Sequence, residues 1–167
     1  MKTLCRKCGK VHAEWPSLEF CSPFYYSRLS TLQKEKNAEI RSDLCVIRTR
    51  KQVDHFIRAI ITQKVNNHCD TLEYVVWVLL NEESFEDYDR NYDEEDHTAT
   101  YFGYLSNQIP GYTDTLSVRV TIQANNGVER PEAIPHQDQR LNAFVSDYFN
   151  GISPQQVEEK INIILGK

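Results

Sequence analysis

The chain is poor in the features that usually announce a function. It has no Gly-x-Gly-x-x-Gly fingerprint, no P-loop and no Gly-x-Ser-x-Gly elbow, which removes the dinucleotide, nucleotide and hydrolase readings those motifs carry. No apolar run approaches the roughly 18 residues of a membrane span. The opening stretch lacks the apolar core of a secretory signal, so a cytoplasmic protein without a membrane anchor is expected. Cysteines number only five, an odd count at irregular spacing, unlike the even framework of a short secreted disulfide protein. Reduced thiols or a metal site fit them better. An excess of positive charge is also missing: the formal net charge is −5, which argues against general binding to nucleic acid or to an anionic membrane. Repeats, low-complexity tracts and linker-like stretches are absent, so a single domain over residues 1–167 is expected.

What is present begins with a charge asymmetry. Residues 82–97 hold nine acidic side chains against Arg90, while residues 1–64 hold thirteen Lys or Arg against six acids. Such a chain can steer a charged partner, although solvated faces of opposite sign are the ordinary explanation.

Hydrophobic periodicity predicts an α+β fold, mainly an antiparallel sheet, with a zinc-knuckle-like element over residues 1–21 and helices at both ends. Gly9 suits a tight turn between two short extended pieces, and Trp15-Pro16 interrupts any regular element. A helix is expected from Pro23 to about Lys36. Leu44–Ile47 and Phe56–Ile61 read as adjacent strands, and the nearly all-apolar run Tyr74–Leu80 as a strand covered on both faces. Phe85, Tyr88 and Tyr92 give the acidic segment an aromatic stripe on a short helix. Tyr101–Leu105 is the next strand, and Pro110-Gly111 suits a type II turn. Thr115–Ala124 alternates with period two and points to a strand closed by a hairpin turn at Asn125-Asn126-Gly127. Leu141, Phe144, Val145 and Tyr148 mark a helix ending at a left-handed Asn150-Gly151 cap. Ser153, Pro154 and Gln156 open a final helix whose Val157, Ile161, Ile164 and Leu165 face the core.

The strongest chemical signal is Cys5-Arg6-Lys7-Cys8-Gly9-Lys10-Val11-His12. A Cys-x-x-Cys-Gly knuckle supplies two thiolates from one turn, half of a tetrahedral zinc site. No second Cys-x-x-Cys exists, so two further ligands must come from elsewhere. His12 can fold back onto the knuckle, and Cys45 sits on a strand that can run beside it; Cys21 and the His68-Cys69 pair are more remote candidates. The expected set is Cys5, Cys8, His12 and Cys45, a closed structural site rather than a catalytic one. A redox pair is the rival, but Gly9-Lys10-Val11-His12 is a poor helix start. The acidic run lacks EF-hand spacing, His97 beside Asp96 is at most a weak cation site, and His55, His68 and His136 stand isolated. Trp77, Tyr101, Phe102, Tyr104 and Tyr112 lie on or near the central strands, where packing and partner recognition both use aromatic rings.

The ordered set Cys5-x-x-Cys8-Gly9-x-x-His12, Asp43-Leu44-Cys45, His55-Phe56-Ile57-Arg58, Val76-Trp77-Val78, Tyr101–Asn107, Pro110–Leu116 and Tyr148–Ile152 resembles the bacterial domain of unknown function 2199 family over nearly the whole chain. The resemblance implies a shared fold and no assigned activity. By joining Asp43-x-Cys45 to the knuckle in one pattern, it also implies Cys45 as the third zinc ligand.

The expected function is therefore that of a non-enzymatic cytosolic binding protein with structural zinc. One alternative is an immunity or antitoxin-like protein holding a basic partner through Asp87, Asp89, Asp93, Glu94, Glu95 and Asp96. Another is an undetected hydrolase with a pocket near Arg58, Trp77, Tyr101 and Asp114.

Overall fold

The computed structural model describes residues 2–125 and 129–166. In chain order the elements are β1 (Lys2–Leu4), β2 (Val11–Ala13), β3 (Leu18–Glu19), α1 (Phe24–Ser27), α2 (Thr31–Asn37), β4 (Ala38–Ile40), β5 (Leu44–Arg48), β6 (Val53–Gln63) and β7 (Leu72–Leu80). They continue with α3 (Glu82–Arg90), β8 (Ala99–Leu105), β9 (Arg119–Ala124), β10 (Glu132–Pro135), α4 (Ala143–Asn150) and α5 (Pro154–Leu165). The result is an α+β fold with a mostly antiparallel sheet, as the periodicity predicts.

The sheet closes on itself. Strand β6 pairs with β7, β7 with β8, β8 with β9 and β9 with β10, all antiparallel, and β10 returns to β6 in parallel through Glu132 opposite Ile60. An amide bond from Ile60 to the Pro131 carbonyl, 2.9 Å, reinforces that seam. Closure leaves the barrel strands with few bare edges. Strands β5 and β4 extend from the first half of β6, and β3 lies along the first half of β7.

Directly opposed residues of an antiparallel ladder share a face, so register fixes the interior. Ile57 faces Val78, Ala59 faces Val76 and Ile61 faces Tyr74, and these side chains join Val120, Ile122 and Ala133 in one buried cluster. Phe144, Val157 and Ile161 from the C-terminal helices belong to the same cluster. On the other face of β5, β6 and β7, Cys45, Ile47, Phe56 and Trp77 form a second cluster, roofed by Tyr26 and Leu29. Strand β7 is thus covered on both sides, which explains its unbroken apolar run. Where β8 crosses β7, Gly103 permits a close approach: a Cβ there would stand 2.4 Å from Val78 Cγ1.

Several local expectations need correction. The helix expected over Pro23–Lys36 is two, because Ser30 is extended and caps α2, accepting from Gln33 N and donating its own amide to Gln33 Oε1. The strand expected from Thr115 starts only at Arg119, since Ser117 takes a positive φ of 70°. Leu141 lies outside α4 and is fully exposed, and Gly151 has φ 85° with ψ 163°, not the left-handed helical cap. Leu165 is 49% exposed, whereas Lys160 is buried over the Tyr112 ring. The Asn126-Gly127 turn lies outside the described residues. The Pro110-Gly111 turn holds, with Gly111 at φ 89° and Tyr112 N bonded to Ile109 O at 3.3 Å, and so does the Ser153-x-x-Gln156 capping box. Among the described residues no helix is long and apolar enough to cross a membrane.

Candidate metal centre

Residues 2–13 form a hairpin of β1 and β2 in which Leu4 opposes Val11 and Thr3 opposes His12. Its tip is the knuckle. Cys5 N donates to Lys10 O and Gly9 N to Cys5 O, both at 2.8 Å, and Gly9 adopts a φ of 69° that few other residues take readily. This turn aims amides at sulfur: those of Cys8 and Lys7 reach the Cys5 thiol and that of Lys10 reaches Cys8.

The partner segment comes from 57 residues beyond His12. Between β6 and β7 the chain turns through Asn67, whose φ of 58° suits asparagine better than most residues. The turn is pinned at its base by the α4–α5 junction: Val65 bridges Ile152, Asn66 N donates to Ile152 O at 2.8 Å, and Asn66 Nδ2 donates to Asn150 O at 3.2 Å. Asp70 N bonds His68 Nδ1, and Asp70 Oδ1 accepts from Lys7 Nζ across the gap, both at 3.0 Å. Cys69 is thereby held against the knuckle.

Four ligand atoms converge there. Cys5 Sγ lies 3.3 Å from Cys69 Sγ, His12 Nε2 lies 3.2 Å from Cys69 Sγ, and Cys8 Sγ lies 3.6 Å from His12 Nε2. The atoms of Cys5, Cys8, His12 and Cys69 all fall within 4.8 Å of one another, so the group could hold a metal ion. Tetrahedral zinc, with bonds of about 2.3 Å to sulfur and 2.0–2.1 Å to nitrogen, needs ligand atoms roughly 3.5–3.8 Å apart, close to this spacing.

Electrostatics follow the same geometry. The Cys8 amide, helped by hydrogen bonding from Cys69 and the Lys7 amide, brings the Cys5 thiol down to about 6. The Lys10 amide lowers Cys8 as well. Cys69, hydrogen-bonded first to Cys5 and then to Cys8, is pushed up to about 12 and shares its proton with them. A cation would replace that shared proton.

Cys45, expected as the third ligand, is elsewhere. It lies in β5 opposite Phe56, 1% exposed, and burial alone raises its thiol to about 12, a poor setting for a thiolate. The acid of the same Asp-x-Cys pattern serves to join segments, since Asp43 accepts from the Tyr92 hydroxyl and from Arg130 Nε, the latter at 3.0 Å. Cys21 is exposed and outside the group. The signal for Cys69 was present, since it sits in the polar turn His68-Cys69-Asp70, where a side chain can be presented, while Cys45 sits in a β-branched run that buries it.

The acidic side chains separate into two sets. Asp87 accepts from the Tyr101 hydroxyl at 2.7 Å and pairs with Arg90 at 3.2 Å, and His97 stands 3.7 Å away. Asp89 pairs with Arg41 at 3.5 Å. Asp93, Glu94, Glu95 and Asp96 are exposed after α3 and have no ion pair among the described residues. The pocket residues also part company. Arg58 stands over the Trp77 ring at 5.5 Å and donates to Ser42 O and Phe20 O, whereas Tyr101 belongs to the other buried cluster and Asp114 is exposed.

Neither a curated protein nor a solved structure matches the chain. A family model described as "Uncharacterized protein conserved in bacteria (DUF2199)" matches residues 4–152, from the knuckle to the α4–α5 junction. The span takes in both halves of the Cys5, Cys8, His12 and Cys69 group, and the chain belongs to this family.

Proposed function

We propose that the protein is a non-enzymatic cytosolic binding protein whose N-terminal hairpin is fastened to the barrel by a structural zinc ion held by Cys5, Cys8, His12 and Cys69. The observation that carries the reading is the convergence of three sulfurs and one imidazole nitrogen within 4.8 Å. Three thiolates and a histidine favour zinc among the common divalent ions, and four protein ligands close the shell against a catalytic water. The knuckle also stands at a hairpin tip and not at a helix start, which speaks against a redox Cys-x-x-Cys. Metal analysis of protein purified under reducing conditions tests it: about one equivalent of zinc is expected, lost in Cys69→Ser. Less than half an equivalent overturns it.

The binding half of the reading draws on Asp93, Glu94, Glu95 and Asp96, four exposed carboxylates in a row that suit a basic protein partner, as in an immunity or antitoxin-like complex. Titration with a cationic peptide at low and physiological salt, repeated after neutralising the four, checks it. Unchanged affinity in the neutralised protein overturns this part.

A further inference from the structure

The hairpin has a second face that the metal does not use. Leu4 and Val11 are direct cross-strand partners, so their side chains share a face, and they remain 67% and 63% exposed. His12, next to Val11 in β2, belongs to the opposite face, from which it reaches Cys69. Cations predominate around the exposed pair, with Glu14 and Asp70 the carboxylates in the cleft that Leu4 lines. Residues 2–12 contain Lys2, Arg6, Lys7 and Lys10 and no carboxylate. Asp70 neutralises Lys7, while Lys2, Arg6 and Lys10 are exposed and form no ion pair among the described residues.

Each component narrows the occupant. Exposed cations select an anionic partner. Two aliphatic side chains at their centre gain nothing from phosphate but do gain from being covered by apolar atoms. Residues 2–12 hold no Phe, Tyr or Trp on which a nucleic-acid base could stack. We infer that Leu4 and Val11, with Lys2, Arg6 and Lys10 on the same hairpin, form a docking face for an acidic, aliphatic segment of a partner protein. This goes beyond the acidic surface at Asp93–Asp96 and is opposite to it in sign. It rests on the zinc reading, because a hairpin with three-residue strands is marginal unless something holds it.

The test uses the full chain and a short fluorescent peptide of alternating Asp and Leu, followed by anisotropy, with an oligo-Asp peptide and a single-stranded oligonucleotide as comparison probes. Saturable binding of the Asp/Leu peptide is expected, tighter than that of either comparison. Leu4→Ser with Val11→Ser should weaken it about tenfold, and Arg6→Gln with Lys10→Gln at least about threefold, more at low salt. None of these side chains is a metal ligand, so metal content should be unchanged. The proposal is overturned if the peptide does not bind metal-loaded protein, if both double variants bind as wild type does, or if the oligonucleotide binds as tightly. Concentration-dependent self-association abolished by Leu4→Ser with Val11→Ser overturns it in favour of a second copy. Equal peptide binding by protein stripped of metal supports the docking face and removes its dependence on the zinc reading, which metal analysis tests separately.

Discussion

The indole of Trp15 stacks on the imidazole of His68 with ring centroids 4.2 Å apart, and its Nε1 donates to Glu158 of α5 at 3.0 Å. His68 in turn meets the ring of His12 edge-on at 4.5 Å. The metal group is therefore continuous, through two aromatic contacts, with the C-terminal helix. Trp77 is fully buried, its Nε1 bonded to Phe20 O at 2.9 Å. Removing metal with a chelator should shift Trp15 emission to the red as the stack loosens, leaving the Trp77 component in place. Trp15→Phe should abolish the change; a chelator response that survives this substitution refutes the linkage.

Cys45 and Cys69 should respond in opposite ways to the same substitution. Cys45→Ser places a hydroxyl in an apolar cluster and should lower global stability by about 1–3 kcal/mol while leaving metal content intact. Cys69→Ser should release metal and accelerate hydrogen exchange of the hairpin amides, with barrel amides unaffected. Denaturant titration, metal analysis and exchange mass spectrometry separate the two.

Asp43 ties three separate segments. Its carboxylate, 13% exposed, joins Tyr92 after α3 and Arg130 before β10. Asp43→Asn should cost about 1–3 kcal/mol, since Arg130 loses its charge partner in a partly buried setting. Tyr92→Phe, which removes a single hydroxyl, should cost less. Equal losses would mean that the ion pair contributes nothing beyond the hydrogen bond.

Gly103→Ala should destabilise by about 1–3 kcal/mol, because the new methyl meets Val78 Cγ1 at 2.4 Å and the Leu79 carbonyl at 2.8 Å. Val78→Ala in the same chain should recover part of that loss if side-chain crowding is the cause. No recovery would place the cost on the carbonyl contact.

In metal-free protein, Cys5 should alkylate with a half-maximal rate near pH 6 and Cys69 should stay unreactive to about pH 10, following thiols held at about 6 and about 12. The sign for stability follows. The fold favours the Cys5 thiolate, so its contribution is full above the ordinary thiol value of 9.0 and disappears as pH falls through about 6. Cys69 works in reverse, contributing below 9.0 and fading as pH climbs toward about 12. Peptide mapping of alkylated cysteines across pH reads both.

Elements with one strong local signal were legible from sequence. The period of β9 from Arg119, the apolar run of β7, Phe85 and Tyr88 of the α3 stripe (Tyr92 falls beyond the helix) and the Ser153 capping box needed no tertiary knowledge. The Ser30-x-x-Gln33 box was equally readable, and there the apolar spacing of Tyr25, Leu29 and Leu32 suggested one helix across a cap. Barrel closure was not legible, because it depends on β10, four residues ending in Pro135, and on one parallel pair across 72 residues. The candidate site divided along the same line. Cys5, Cys8 and His12 announce themselves by spacing, whereas Cys69 is recruited by a turn whose place is set by Asn66 and the α4–α5 junction. Asp43-x-Cys45 drew the third ligand to the wrong strand because its acid clamps Tyr92 and Arg130.

The long interval between knuckle and fourth ligand has a consequence for synthesis. Cys5, Cys8 and His12 leave the ribosome ahead of Cys69, which follows 57 residues after His12. At about 5–20 residues per second this is a delay of roughly 3–11 s. During that interval a nascent hairpin can offer a metal only three donors, so capture at full coordination must wait until β6 and the turn after it have emerged. The knuckle is thus made well before the turn that would complete its site.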